Sequence, residues 1–290
     1  MRIIFIFIFC LIYGSLFSKE NTPLTFSPWQ EVVVSVSDLD RTAIFFKSIG
    51  NFDLLHKGEV SKSALVHYGL SKGDFAEEIL LKEKNSTHGF IRLVNFHSSE
   101  GKVPMRPGAR AWDTGCFFSI MIRMKGMDNI YKEAIKLGWW TETPIINYSA
   151  FGSNLNIVVF KGPDGLQVSA YERLSPPLPE EFKNLDTFSQ PFNIMQTVNN
   201  AEVTKEFYTN ILGFKTWYDG EAYVSKEKVM HPLGIPYSLT TQIRYKAKIL
   251  SPIEGEFGRV EMVEFMDLEG IDYSNKCVAP NLGILSIKFP

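Results

Sequence analysis

The chain has 290 residues, of which 45% are hydrophobic and 21% charged, and its formal net charge is −2. That length exceeds what one small core needs and fits about two domains of ordinary globular composition. The near-neutral balance, with no stripe of Lys or Arg, excludes the electrostatic footprint of a nucleic-acid-binding protein.

The first residues form a segment of their own. Arg2 precedes an apolar run from Ile3 to Phe17, broken only by Gly14 and Ser15, and Lys19-Glu20-Asn21 then turns polar. A basic start, a small residue at Ser18 and a run shorter than the roughly 20 residues of a spanning helix read as a signal peptide over 1–18. The expected location is periplasmic or secreted, with membrane attachment only if the segment stays uncleaved. Cys116 and Cys277 lie in no metal-type spacing. They read as small, buried apolar residues, with pairing open to them if the chain is exported.

From Glu31 the pattern becomes regular. Val32, Val34 and Val36 alternate with Glu31, Val33 and Ser35, the period of a strand. Asp38 suits the N-cap of a helix carrying Ile44, Phe45 and Ile49, and a second strand follows before Gly58-Glu59. Residues 117–140 again read as strand then helix, and 156–173 as two strands around Pro163-Asp164-Gly165. The Pro-rich, polar stretch 174–191 reads as a linker.

From Asn193 the plan of the first segment returns without a gap. Val36 meets Val198, Phe45 meets Phe207, Phe52 meets Phe214, and Gly58-Glu59 meets Gly220-Glu221. Further on, residues 89–101 align with 258–270, and His67 meets His231. A repeat of this length marks a duplicated structural unit. Two domains are therefore expected, one over 30–173 built from modules one and two, and one over 192–290 opened by module three. Residues 279–290 resemble 113–124, the start of module two. The expectation is a fourth module cut off after its first strand, as in a fragment.

The segment Val36-Ser37-Asp38-Leu39-Asp40-Arg41, the Phe160-Lys161-Gly162-Pro163-Asp164-Gly165-Leu166 turn and the paired modules together resemble the vicinal oxygen chelate superfamily. That superfamily includes glyoxalase I, bleomycin-resistance proteins and extradiol dioxygenases, and the resemblance spans residues 30–290. It implies an α+β fold of repeated βαβββ modules, forming cup-shaped mixed sheets with helices outside. Its enzymes hold a divalent metal through first-strand and last-strand side chains. Mapped here, those positions are Glu31 and Arg92 in module one, Ser119 and Ser169 in module two, and Asn193 and Glu261 in module three, with Glu264 a rival to Glu261.

With modules one and two forming the first cup, its ligand set is Glu31, Arg92, Ser119 and Ser169, and Arg123 shares the strand parity of Ser119. An arginine repels a cation, so no metal is expected there, and an ion pair between Glu31 and Arg92 can stand in its place. Arg92 with Arg123 would suit an anionic ligand, and Trp139, Trp140, Trp217, Tyr148 and Tyr171 an aromatic one. Glu261 and Asn193 are the candidates for a divalent metal (Fe, Mn, Zn or Ni) in the second cup. His67 and His231 read as pocket bases or as packing residues. The expected function is an exported small-molecule binder related to glyoxalase and bleomycin-resistance proteins. The alternative is a metal-dependent lyase, isomerase or dioxygenase acting from the second half.

Overall fold

Alternating apolar strands, capped helices and tight turns assemble into three βαβββ modules. The computed structural model describes residues 27–290 except 72, 99, 100 and 109, so the expected signal segment, 1–18, lies outside the described residues. Module one comprises β1 (Glu31–Ser35), α1 (Leu39–Ile44), β2 (Asp53–Glu59), α2 (Lys62–His67), β3 (Phe75–Lys82) and β4 (Phe90–His97). Module two comprises β5 (Phe117–Met124), α3 (Met127–Lys136), β6 (Ile146–Ala150), β7 (Ser153–Lys161) and β8 (Gln167–Ser175). Module three comprises β9 (Phe188–Thr197), α4 (Ala201–Glu206), β10 (Lys215–Asp219), β11 (Tyr245–Ser251) and β12 (Arg259–Phe265), and β13 (Gly283–Lys288) follows it.

Local chemistry fixes the helix starts. The Asp38 carboxylate accepts the Arg41 N–H at 2.9 Å, and the Asn200 side chain accepts from Glu202 and Val203. Both helices run on into a π-helical turn, Phe45–Ile49 and Phe207–Ile211, so the duplication extends to this irregularity.

Within each module the first strand runs parallel to the last, which pairs antiparallel with the third, and the third pairs with the second. How modules join corrects the expected pairing of module one with module two. Antiparallel pairing of β5 with β9 fuses modules two and three into one eight-stranded sheet, β10-β11-β12-β9-β5-β8-β7-β6. Module one instead pairs β1 with β13 in a five-stranded sheet, β13-β1-β4-β3-β2. Every first strand offers an edge of unpaired backbone N–H and C=O groups that needs a partner, and chain order does not decide which strand meets it.

Helices α1, α3 and α4 and the outer faces of both sheets share one core, in which Phe45 of module one stacks on Trp139 of module two at 3.8 Å between ring centroids. The Pro-Asp-Gly turn docks on the same aromatic group. A Cβ on Gly162 would come within 2.6 Å of the Trp139 ring, so only glycine fits there. The Asp164 carboxylate accepts the Ser37 N–H at 2.7 Å and the Ser37 hydroxyl at 2.8 Å, tying module two to the start of α1. The inner face of each sheet carries its own apolar cluster.

Cys116 and Cys277 are joined in a disulfide, which corrects the reading of two buried apolar thiols. The segment before β13 is laid along the start of β5 by backbone bonds (Thr114 N–H to Ile271 O and Tyr273 N–H to Thr114 O, both 2.9 Å), and this brings the two sulfurs together. The bridge closes a separation of 161 residues. Cutting so long a loop should lower unfolding free energy by roughly 2–4 kcal/mol. Urea unfolding of the protein with and without reductant, and of Cys277→Ser, measures it; identical midpoints would contradict the bridge.

Candidate functional site

The parallel ladders identify equivalent positions in the three modules. Val33 pairs with Arg92, Met121 with Ser169, and Met195 with Glu261. In each case the last-strand residue sits opposite the residue two beyond the first-strand position, so Glu31/Arg92, Ser119/Ser169 and Asn193/Glu261 are neighbours on one sheet face. Glu264 has the other parity. It accepts the Ala201 N–H at the start of α4 at 2.8 Å and pairs with Lys246 at 3.2 Å, so it serves the helix side of the sheet.

In the five-stranded sheet these positions hold a closed ionic network. Arg92 donates to both oxygens of Glu31 at 2.8 and 2.7 Å and reaches Glu78 at 2.7 Å, while Lys288 of β13 meets Glu31 at 2.8 Å. Burial works against ionisation of Glu31, but the Arg92 and Lys288 charges hold its carboxyl below the usual range. Burial likewise works against the Arg92 cation, and Glu31 and Glu78 more than offset it. Both Glu31 oxygens already face cations, which leaves no donor for a metal.

The eight-stranded sheet brings together Ser119, Ser169, Asn193 and Glu261, a set divided between the two expected cups. The Ser119 and Ser169 hydroxyls hydrogen-bond each other at 2.8 Å and are fully buried. The Asn193 amide N–H donates to Glu261 at 3.3 Å, and its carbonyl oxygen accepts the Ile194 N–H at 2.8 Å. Asn193 and Glu261 open into a cavity of about 410 Å³. Surrounding protein pushes the Glu261 carboxyl up to about 7, with the Asn193 hydrogen bond opposing the shift, and what exposure it keeps is to the cavity. This donor set does not fit a divalent metal. It offers a single carboxylate, an amide whose oxygen is already engaged, and two hydroxyls bonded to each other. Among the described residues no three His, Cys, Asp or Glu side chains gather as a metal-binding group.

Arg123 lines this cavity and donates to Glu256 at 2.6 Å; Arg173 shares the same carboxylate at 3.2 Å. Arg92 lies in the other sheet, so the expected Arg92–Arg123 anion site is not assembled. Trp217, Tyr148 and Tyr171 line the cavity as expected. Trp139 belongs to the core behind the sheet, and Trp140 is exposed beside Lys161. Phe151, at the tip of the β6–β7 hairpin with φ 51°, touches Trp217 and Tyr218 of β10, joining the two edges of the sheet across the opening.

The matched histidines diverge. His67 is exposed on α2, whereas His231 is buried in the cavity wall beside Tyr245, and its Nδ1 accepts the Leu233 N–H at 3.2 Å. Burial pushes His231 down to about 4, so it is neutral at physiological pH. Sequence reasoning missed Arg173, Glu256, Arg259 and Tyr245. Strand alternation from Glu261 and Ser169 was a usable signal for the two arginines; loop position hid Glu256.

No protein-family model and no curated protein sequence matches the chain. Solved structures do. Glyoxalase I from Zea mays is 15% identical, with a TM-score of 0.53 over 83% of this chain and 68% of that one. A point mutant of the same enzyme gives 0.54, with 69% of its chain covered. A glyoxalase family protein from Bacillus cereus is 19% identical over 53% of this chain and 98% of its own, with a TM-score of 0.43. The fold is that of the vicinal oxygen chelate superfamily.

Two measurements check these electrostatics. Replacing Arg92 by Met leaves Glu31 with Lys288 alone and Glu78 without its arginine, and should cost about 3 kcal/mol in urea unfolding. Lys288→Met, at a partly exposed position, should cost well under half of that; equal losses would contradict the network. Glu261 keeps its proton to higher pH when folded than when unfolded. Its stabilising contribution is therefore full below about pH 4.5 and is lost as pH rises toward 7. The loss should amount to at most about 3 kcal/mol and should vanish in Glu261→Gln; parallel pH profiles for the two proteins would refute the shift.

Proposed function

We propose that this chain is a small-molecule-binding member of the glyoxalase and bleomycin-resistance type that works without a metal, with its ligand held in the β5–β12 cavity. One observation carries the reading. At the positions where the superfamily's enzymes hold their metal, this sheet places a hydroxyl pair and an amide bonded to a single carboxyl. These groups satisfy one another and leave an adjoining cavity whose walls are largely aromatic and apolar with a few charged groups at one end, the usual make-up of a ligand pocket. The edge-to-edge aromatic contacts of Phe151 would shield a bound molecule from water.

Export is part of the proposal. The Cys116–Cys277 disulfide supports it, because such bonds persist mainly in oxidising compartments. A periplasmic or secreted binder fits both this bond and the basic-apolar start of the chain.

A second reading is an enzyme that moves protons. Glu261 favours it, since a carboxyl titrating near 7 inside a cavity can give or take a proton at neutral pH. Its one direct hydrogen-bond partner among the described residues is the Asn193 amide, which does not titrate, so binding is the better-supported function.

Metal analysis separates the readings. Protein incubated with Zn, Mn, Ni or Fe(II) salts and then desalted should retain less than stoichiometric metal by plasma mass spectrometry, with Glu261→Ala no different. One equivalent retained by the parent and lost in Glu261→Ala would overturn the metal-free reading.

A further inference from the structure

Three guanidinium groups, those of Arg123, Arg173 and Arg259, gather at one end of the cavity. Two of them are neutralised in part, because Arg123 and Arg173 share Glu256. Arg259 differs. It is only 6% exposed, lines the cavity and makes no ion pair among the described residues; its Nε, like those of Arg123 and Arg173, has no hydrogen-bond partner. One face of its guanidinium is covered by Trp217, whose ring centroid lies 4.0 Å from Cζ. The other acid within range, Glu181, acts at a distance and accepts the Glu256 N–H with its carboxylate. Three cations against Glu256 and Glu181 leave an excess of one positive charge.

A buried cation without a counter-ion is unfavourable, and a protein normally pairs it or loses it. Burial and the neighbouring arginines push Arg259 down to about 10, which still leaves it charged at neutral pH. The missing partner is therefore one negative charge, and the place for it is the cavity. A guanidinium presents a planar fork that matches a carboxylate better than a point charge. Away from this end the walls are apolar, with Met195, Val263, Ile249 and Leu155 beside the aromatic rim.

We propose that Arg259 is the anion-binding residue of this cavity and that its ligand is a monocarboxylic acid with an aromatic or alkyl body. The acid meets the free edge of Arg259 beside Trp217, and the body lies along the apolar wall toward Glu261. A single negative charge matches the excess; a phosphate dianion would exceed it. The inference rests on the reading of the cavity as a metal-free ligand site and adds the ligand's class to it.

The test is calorimetric titration with phenylbutyrate and with its neutral amide, in the presence of a chelator. The acid should bind roughly 10- to 100-fold more tightly than the amide. Arg259→Met and Arg259→Gln should abolish that preference while leaving the amide's affinity within a few-fold. Because they remove an uncompensated charge, neither should lower Tm, whereas loss of a merely structural arginine would. Equal affinities for acid and amide in the parent protein overturn the subsite and leave the ligand cavity standing. So does a preference that survives both substitutions. Failure of both probes to bind, or binding only after a divalent metal replaces the chelator, overturns the cavity reading itself.

Discussion

The antiparallel pairing of β5 with β9 is the constraint on which the rest of this protein depends. It places two first strands side by side at the middle of one eight-stranded sheet, and each brings its parallel last strand with it. Without that pairing Ser119 and Ser169 would not share a sheet with Asn193 and Glu261, and the cavity would lack half its wall. The ladder also carries the β6–β7 hairpin round to meet β10, so the aromatic rim is a consequence of the same contact.

The two sheets solve one electrostatic problem in different ways. Each has polar side chains at the centre of a buried face, where charge must be paired or avoided. In the five-stranded sheet Glu31, Arg92, Glu78 and Lys288 pair every charge, which holds β13 against β1. In the eight-stranded sheet the central positions hold two serines, an amide and one carboxyl that burial pushes well above its usual range. Fixed charge gathers at the arginine end of the cavity, where Glu256 and Glu181 fall one short of the three arginines.

Much of the fold was legible because its signals are periodic. Valine alternation marked β1, Asp38 marked a helix start, and the constant offset from Val36/Val198 to Phe52/Phe214 marked the duplication. The partner of each first strand was not legible, since β1, β5 and β9 offer similar backbone edges and chain order favoured the wrong neighbour. That error split the true four-residue centre between two expected cups and joined Arg92 to Arg123 across separate sheets. The disulfide was hidden for the same reason: Cys116 and Cys277 approach only once the segment before β13 is laid along the start of β5. Arg259 stood two residues from Glu261 throughout, but its meaning depends on the absence of a partner, which no linear pattern reveals.

The most direct test of a metal-free, anion-binding cavity is a crystal structure of the protein grown with phenylbutyrate and zinc together, with anomalous scattering recorded at the zinc edge. The account predicts the carboxylate against Arg259, the phenyl ring along the apolar wall, and no anomalous peak beside Glu261. A zinc ion bound by Glu261 and Asn193, with Arg259 untouched by ligand, would contradict it.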